Sequence, residues 1–203
     1  MWRDIFATRH IFEEGGRRAI GVPVLAVNAG ISGSAAVLFQ YTAGVLMVLK
    51  DWMEGAAPGV WMRGVYEEAS MAAGRAPQPV APPDHFDNRN SFGLLASLRG
   101  VAGIRKGGDP LGGRGFIREL LRTSIRGESR FLLGPEATWT RRAMFGGFCT
   151  GTGSVEPKEG LYRTLMLGLE SAIAPAAFKS AAEQPVAVTP DGRRYSTAEV
   201  KYR

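Results

Sequence analysis

Between Arg18 and Lys50 the chain runs for 31 positions, AIGVPVLAVNAGISGSAAVLFQYTAGVLMVL, without one formal charge. About 20 apolar residues suffice to cross a bilayer as a helix, and core helices seldom dispense with charge for so long. Pro23 suits a first helical turn, so the pattern predicts a single transmembrane helix over about residues 24–49. Small residues recur four apart, Ala29 with Gly33 and Gly30 with Ser34, a spacing that lets a second helix approach closely. Lys50 and Trp52 follow the run, where a snorkelling lysine and an interfacial aromatic would sit. Asn28, Gln40, Tyr41 and Thr42 dilute the hydrophobicity and need partners, so such a helix would pack on protein. The same residues admit a different reading: a strand over VPVLAV, a tight turn at Asn28-Ala29-Gly30, and a buried helix from Ser32 to Trp52.

The remaining pattern divides into shorter pieces. Residues 1–18 form an amphipathic segment with Trp2, Ile5, Phe6 and Phe12 on one side, ended by Gly15-Gly16. The apolar element occupies 19–53. A helix is expected within 54–74, opened by Pro58 and closed by Gly74. Four prolines make 75–90 an extended linker and the best internal boundary. Residues 91–185 are a basic helical region, with helices expected over 91–104, 115–126 and 157–181 around a glycine-rich loop at 105–115. A polar tail, 186–203, carries a Pro-Asp-Gly turn. The expected fold class is therefore mainly α: one membrane helix, short helices and long Gly/Pro-rich loops. The alternative is a small soluble α/β domain.

Charge sharpens one region. From Arg99 to Arg142 there are ten basic residues against four acids, so the whole net excess of +6 sits there. Arg114, Arg118, Arg122, Arg126 and Arg130 recur at four-residue steps. Each step advances about 40° around a helix, so the five would cover an arc of about 160°. Phe116, Ile117, Leu120, Leu121 and Ile125 fall mainly on the other side. An arginine-only face suits phosphate or carboxylate partners: lipid headgroups, nucleic acid or an acidic protein surface.

Candidate chemistry is sparse. One cysteine, Cys149, and two histidines, His10 and His85, exclude an internal disulfide and a Cys- or His-based metal cluster. His85 lies in a Pro-rich stretch that reads as a solvated turn. The loop Gly107–Gly115 opens onto a helix, as phosphate loops do, but lacks the Gly-Lys-Ser/Thr ending of a Walker sequence. VLAVNAGIS resembles the strand and Asn-Ala-Gly turn of short-chain dehydrogenases over nine residues. Too few residues precede it for that family's dinucleotide loop, and no Tyr-x-x-x-Lys pair follows. His85-Phe86-Asp87-Asn88-Arg89 resembles a stretch of S-adenosylhomocysteine hydrolases, whose long cofactor domain does not fit in the residues that follow. No catalytic, cofactor-binding or metal residues are assigned.

These observations predict a non-enzymatic accessory subunit of a larger membrane assembly, of the organellar respiratory or photosynthetic kind. It would lie in a mitochondrial or other organellar inner membrane. Ala29, Gly30, Gly33 and Ser34 would pack on neighbouring subunits. Arg114, Arg118, Arg122, Arg126 and Arg130 would meet lipid headgroups or an anionic partner. The first alternative is a viral capsid or tail assembly protein whose basic region faces nucleic acid. The second is a small α/β enzyme.

Overall fold

The uncharged run folds as strands. In the computed structural model β1 spans Pro23–Gly30, β2 Gly33–Thr42 and β3 Val45–Glu54, forming an antiparallel meander. The structure describes residues 22–30, 33–42, 44–54, 59–87, 103–125, 128–144, 159–174, 186–188 and 194–195. Gly30 pairs with Gly33 to close the first hairpin, and Gly44, at φ +82°, sits between β2 and β3. A side chain at Gly44 would meet the Ile125 side chain at 2.9 Å as well as adopt a strained backbone.

After the meander come α1 (Gly59–Ala73), β4 (Gln78–Ala81), α2 (Asp84–Asp87) and β5 (Arg105–Lys106). Then follow α3 (Pro110–Arg122), β6 (Ser124–Ile125), β7 (Glu128–Ser129), β8 (Phe131–Glu136), α4 (Thr138–Met144) and α5 (Glu159–Ile173). Two short strands, β9 (Val186–Val188) and β10 (Arg194–Tyr195), pair with each other. Among the described residues the main sheet has six strands in the order β5-β4-β1-β2-β3-β8. β4 runs parallel to β1, β5 to β4, and β8 to β3.

Helices cover both faces. Leu25, Val27, Ala36 and Leu38 point to Met62, Val65, Tyr66 and Ala69 of α1. Val24, Ala26, Val37 and Phe39 point to the other layer, built from α3, α4 and α5. A strand covered on both faces loses the apolar–polar alternation that marks a half-exposed strand and reads as continuous hydrophobic sequence. That is why the run imitates a membrane helix.

The mainly α expectation is thus corrected to a mixed α/β sheet. The transmembrane helix at 24–49 is absent: no helix among the described residues is long and apolar enough to cross a membrane. Ala29, Gly30, Gly33 and Ser34, expected on a helix-packing face, instead pair with one another across the hairpin, Ala29 with Ser34 and Gly30 with Gly33. Lys50 and Trp52 are not interfacial anchors. The Lys50 ammonium bridges Glu68 of α1 at 2.7 Å and Glu136 of β8 at 2.9 Å, and the Trp52 indole N–H donates to Glu68 at 2.8 Å. They tie a helix and an edge strand to β3. Glu68, held by the Lys50 ammonium, stays below the usual carboxylate range.

The stretch read as a linker contains β4 and α2. The N-terminal segment, the helix expected at 91–104, the polar stretch around Cys149 and most of the tail lie outside the described residues or reach them only in part.

Candidate functional site

From β1 the chain turns to β2 and β3 on one side, then crosses back to lay β4 on the other side of β1. In open α/β sheets such a reversal leaves a crevice at the carboxyl ends of the strands, the usual place for a ligand. Asn28 stands near the carboxyl end of β1, His85 lies in α2 just past β4, and Thr164 belongs to α5. All three are buried, His85 to 3% exposure. α5 can come this close because Gly168 faces β1: a Cβ there would stand 3.1 Å from the Asn28 Cβ.

The hydrogen bonds fix the groups' roles. The Thr164 carbonyl can only accept, so the Asn28 side-chain nitrogen faces it and donates, at 2.8 Å. The Asn28 oxygen therefore points to His85, where the ring Nε2 lies 2.7 Å away and donates. The Ala29 N–H also approaches Nε2, at 3.3 Å, and would require the other tautomer. The shorter contact, whose amide orientation is independently set, decides for Nε2–H. His85 Nδ1 then carries a lone pair that is buried with no partner among the described residues.

Burial pushes the His85 imidazole below its ordinary pKa of 6.5, with the nearby Asp84 carboxylate opposing. An unfolded chain therefore binds this proton more readily than the folded one. Stability should rise as pH increases through the folded pKa and level off above the unfolded value near 6.5. Urea unfolding of wild type and His85→Gln between pH 5 and 7.5 checks this: the slope assigned to His85 should vanish in the variant.

A second buried group lies on β3. The Asp51 carboxylate accepts from the Trp139 and Thr140 backbone N–H groups at 3.1 and 2.5 Å and caps α4. Burial raises its pKa against the pull of those amides. Its role is to hold α4 on the sheet.

The predicted arginine row divides. Arg114 makes a two-pronged ion pair with Glu170 of α5, 2.8 and 2.9 Å, and Glu170 is 1% exposed. Burial raises the Glu170 pKa, and Arg114 opposes that shift. Arg130 has left the helix and donates to the Gly44 carbonyl at 3.0 Å and the Thr123 hydroxyl at 3.1 Å. Arg118 and Arg122 stay exposed on α3, and Arg126 lies outside the described residues. The structure adds exposed Arg141 and Arg142 of α4 and Arg163 of α5 to the same helical layer. Arg142 also lies over the Trp139 ring, 5.2 Å from its centroid.

Sequence reasoning missed the Asn28–His85–Thr164 cluster altogether. Its members are 57 and 136 residues from Asn28, and none belongs to a recognised spacing. The one available signal was a polar residue, Asn28, at the end of an otherwise apolar strand.

Fold and site together define a three-layer α/β domain with a sheet-end polar cluster and a basic helical layer. No family model and no curated protein matches the sequence. Among solved structures the chain is similar to the large terminase of a thermophilic bacteriophage in complex with ADP, at 14% identity and a TM-score of 0.55, over 87% of this chain and 45% of that one. The ATP-γ-S complex of the same phage protein gives 14% identity and 0.52, over 71% and 36%. The nuclease domain of the bacteriophage SPP1 large terminase with bound Mn gives 11% identity and 0.46, over 68% and 78%. The chain thus spans less than half of the first terminase, and at this identity the likeness concerns the fold.

The reading as a membrane-complex subunit, and with it the organellar membrane location, is corrected: no helix among the described residues is long and apolar enough to cross a membrane, and the fold is one shared with solved phage large terminases. The expectation of a non-enzymatic protein is corrected as well: the fold is one shared with solved phage large terminases. Of the readings offered by the sequence, the viral alternative stands closer to these findings.

Proposed function

We propose that this chain is a DNA-engaging domain of the large-terminase type, working within a viral DNA-packaging assembly. The observation that carries the reading is the likeness to a large terminase over 87% of the chain. Two further features support it. The sequence has no Gly-x-x-x-x-Gly-Lys-Ser/Thr run, which favours the DNA-contacting part of such a protein over an ATP-hydrolysing one. The layer of α3, α4 and α5 exposes Arg118, Arg122, Arg141, Arg142 and Arg163, and guanidinium groups suit a phosphate backbone. Arg114 and Arg130 are half-buried in ion pairs and hydrogen bonds of the fold, and of the arginine row Arg118 and Arg122 are the described members exposed on α3.

Fluorescence anisotropy with labelled duplex DNA tests the reading. Binding is expected with a Kd on the order of 1–100 µM at physiological salt, tightening as salt falls. Addition of ATP should leave it unchanged. Absence of DNA binding at low salt would refute the proposal.

A further inference from the structure

Chemistry on phosphodiesters is commonly run by divalent cations that clamp the reacting oxygens. Such ions demand several oxygen ligands, carboxylates above all: six to eight for Ca²⁺, an octahedral set for Mg²⁺. If the chain engages DNA as proposed, the carboxyl end of β1 is where the fold would present such an ion. The residues there do not fit one.

Asn28 is a neutral amide with both polar atoms spent, the nitrogen on the Thr164 carbonyl at 2.8 Å and the oxygen on His85 at 2.7 Å. A cation drawing on the Asn28 oxygen would meet the His85 Nε2–H that already points at it. Among the described side chains, what is left there is one imidazole nitrogen, His85 Nδ1, and one exposed carboxylate, Asp84. Among the described residues no three His, Cys, Asp or Glu side chains gather to hold a metal. The buried carboxylates among the described residues are committed elsewhere, Asp51 to the α4 amides and Glu170 to Arg114. Among the described residues the three side chains are tied by these hydrogen bonds, and His85 Nδ1 is their buried atom without a partner, a nitrogen acceptor fit for a hydroxyl or water proton.

We infer that the carboxyl end of β1 is a neutral, hydrogen-bonded site and not a cation cage, and that this chain holds DNA without divalent metal, through its arginine-bearing helical layer. The second half rests on the DNA reading above; the first does not.

Two measurements on the whole chain separate them. Mn²⁺ is titrated into isotopically labelled protein while the Asn28 side-chain amide and the His85 imidazole are followed by NMR. Neither should broaden selectively, and the ring should report the Nε2–H tautomer throughout. Saturable broadening of both groups, ahead of the exposed carboxylates, would overturn the site assignment. In parallel, duplex DNA affinity is compared in EDTA and in Mg²⁺ at matched ionic strength. It should be as tight in EDTA or tighter, because divalent cations compete for phosphate. A loss of about tenfold or more in EDTA would overturn the metal-independent contact. If DNA fails to bind under both conditions, the functional reading falls while the Mn²⁺ titration still decides the nature of the site.

Discussion

Gly113→Ala is expected to destabilise the fold by about 3 kcal/mol, the upper part of the range for overpacking a tight interior. A Cβ at this position would stand 1.7 Å from the Glu170 carbonyl oxygen and 2.6 Å from its carbon. Both are backbone atoms of α5, so no side chain can swing aside; the two helices must separate. Alanine's better helix propensity returns about 1 kcal/mol and is outweighed. Separation would also pull Arg114 from Glu170 and leave a buried carboxylate poorly compensated. Gly115→Ala is the control, since nothing lies within 4 Å of a Cβ there and the propensity gain should appear unopposed. Urea melts of the two variants should therefore move in opposite directions. Equal midpoints would show that α3 does not ride on α5 as described.

Asn28→Leu should cost about 3 kcal/mol, by a different route. Leucine matches the amide in size but strands the buried His85 Nε2–H, which the Asn28 oxygen accepts at 2.7 Å, and removes the second hydrogen bond, at 2.8 Å, to a Thr164 carbonyl that stays within the α5 ladder. Each orphaned buried polar group costs about 1–3 kcal/mol. The double variant Asn28→Leu/His85→Phe removes one orphan together with its partner and should recover part of the loss. Thermal denaturation of both reads the coupling; no recovery would mean the Asn28–His85 contact carries no energy of its own.

Why the sequence showed so little of this can be traced residue by residue. The apolar run passed every length test for a membrane helix because β1, β2 and β3 are buried on both faces. Its turns are marked only by glycines, Gly30, Gly33 and Gly44, which read equally well as a helix-packing face. The strand over VPVLAV was legible as one alternative, but the rest of that alternative, a helix from Ser32, was not what formed. Pro79 hid β4: proline has no N–H for a ladder, so a central strand through it is improbable on local grounds. The arginine period held only as far as the helix did. Thr123 leaves α3 in extended backbone, φ −102° and ψ 157°, so Arg130 falls between β7 and β8, off the helix that carries Arg114. Asp109 and Pro110 start α3 as N-cap and first-turn proline inside the stretch read as a glycine-rich loop, so the helix spans Pro110–Arg122 where 115–126 was expected. His85 looked solvated because the groups that meet its ring, Asn28 and Ala29 of β1, lie far away in sequence.

The basic helical layer is where the DNA reading stands or falls, and its salt dependence is the most direct measurement. Log affinity for duplex DNA is plotted against log salt for wild type and for Arg122→Gln/Arg141→Gln/Arg142→Gln, with thermal melts confirming that both are folded. Each phosphate contact contributes a slope of about −0.9, so the triple variant should bind more weakly and with a slope shallower by about 3. A variant that binds with the wild-type slope would place the DNA elsewhere and contradict the account.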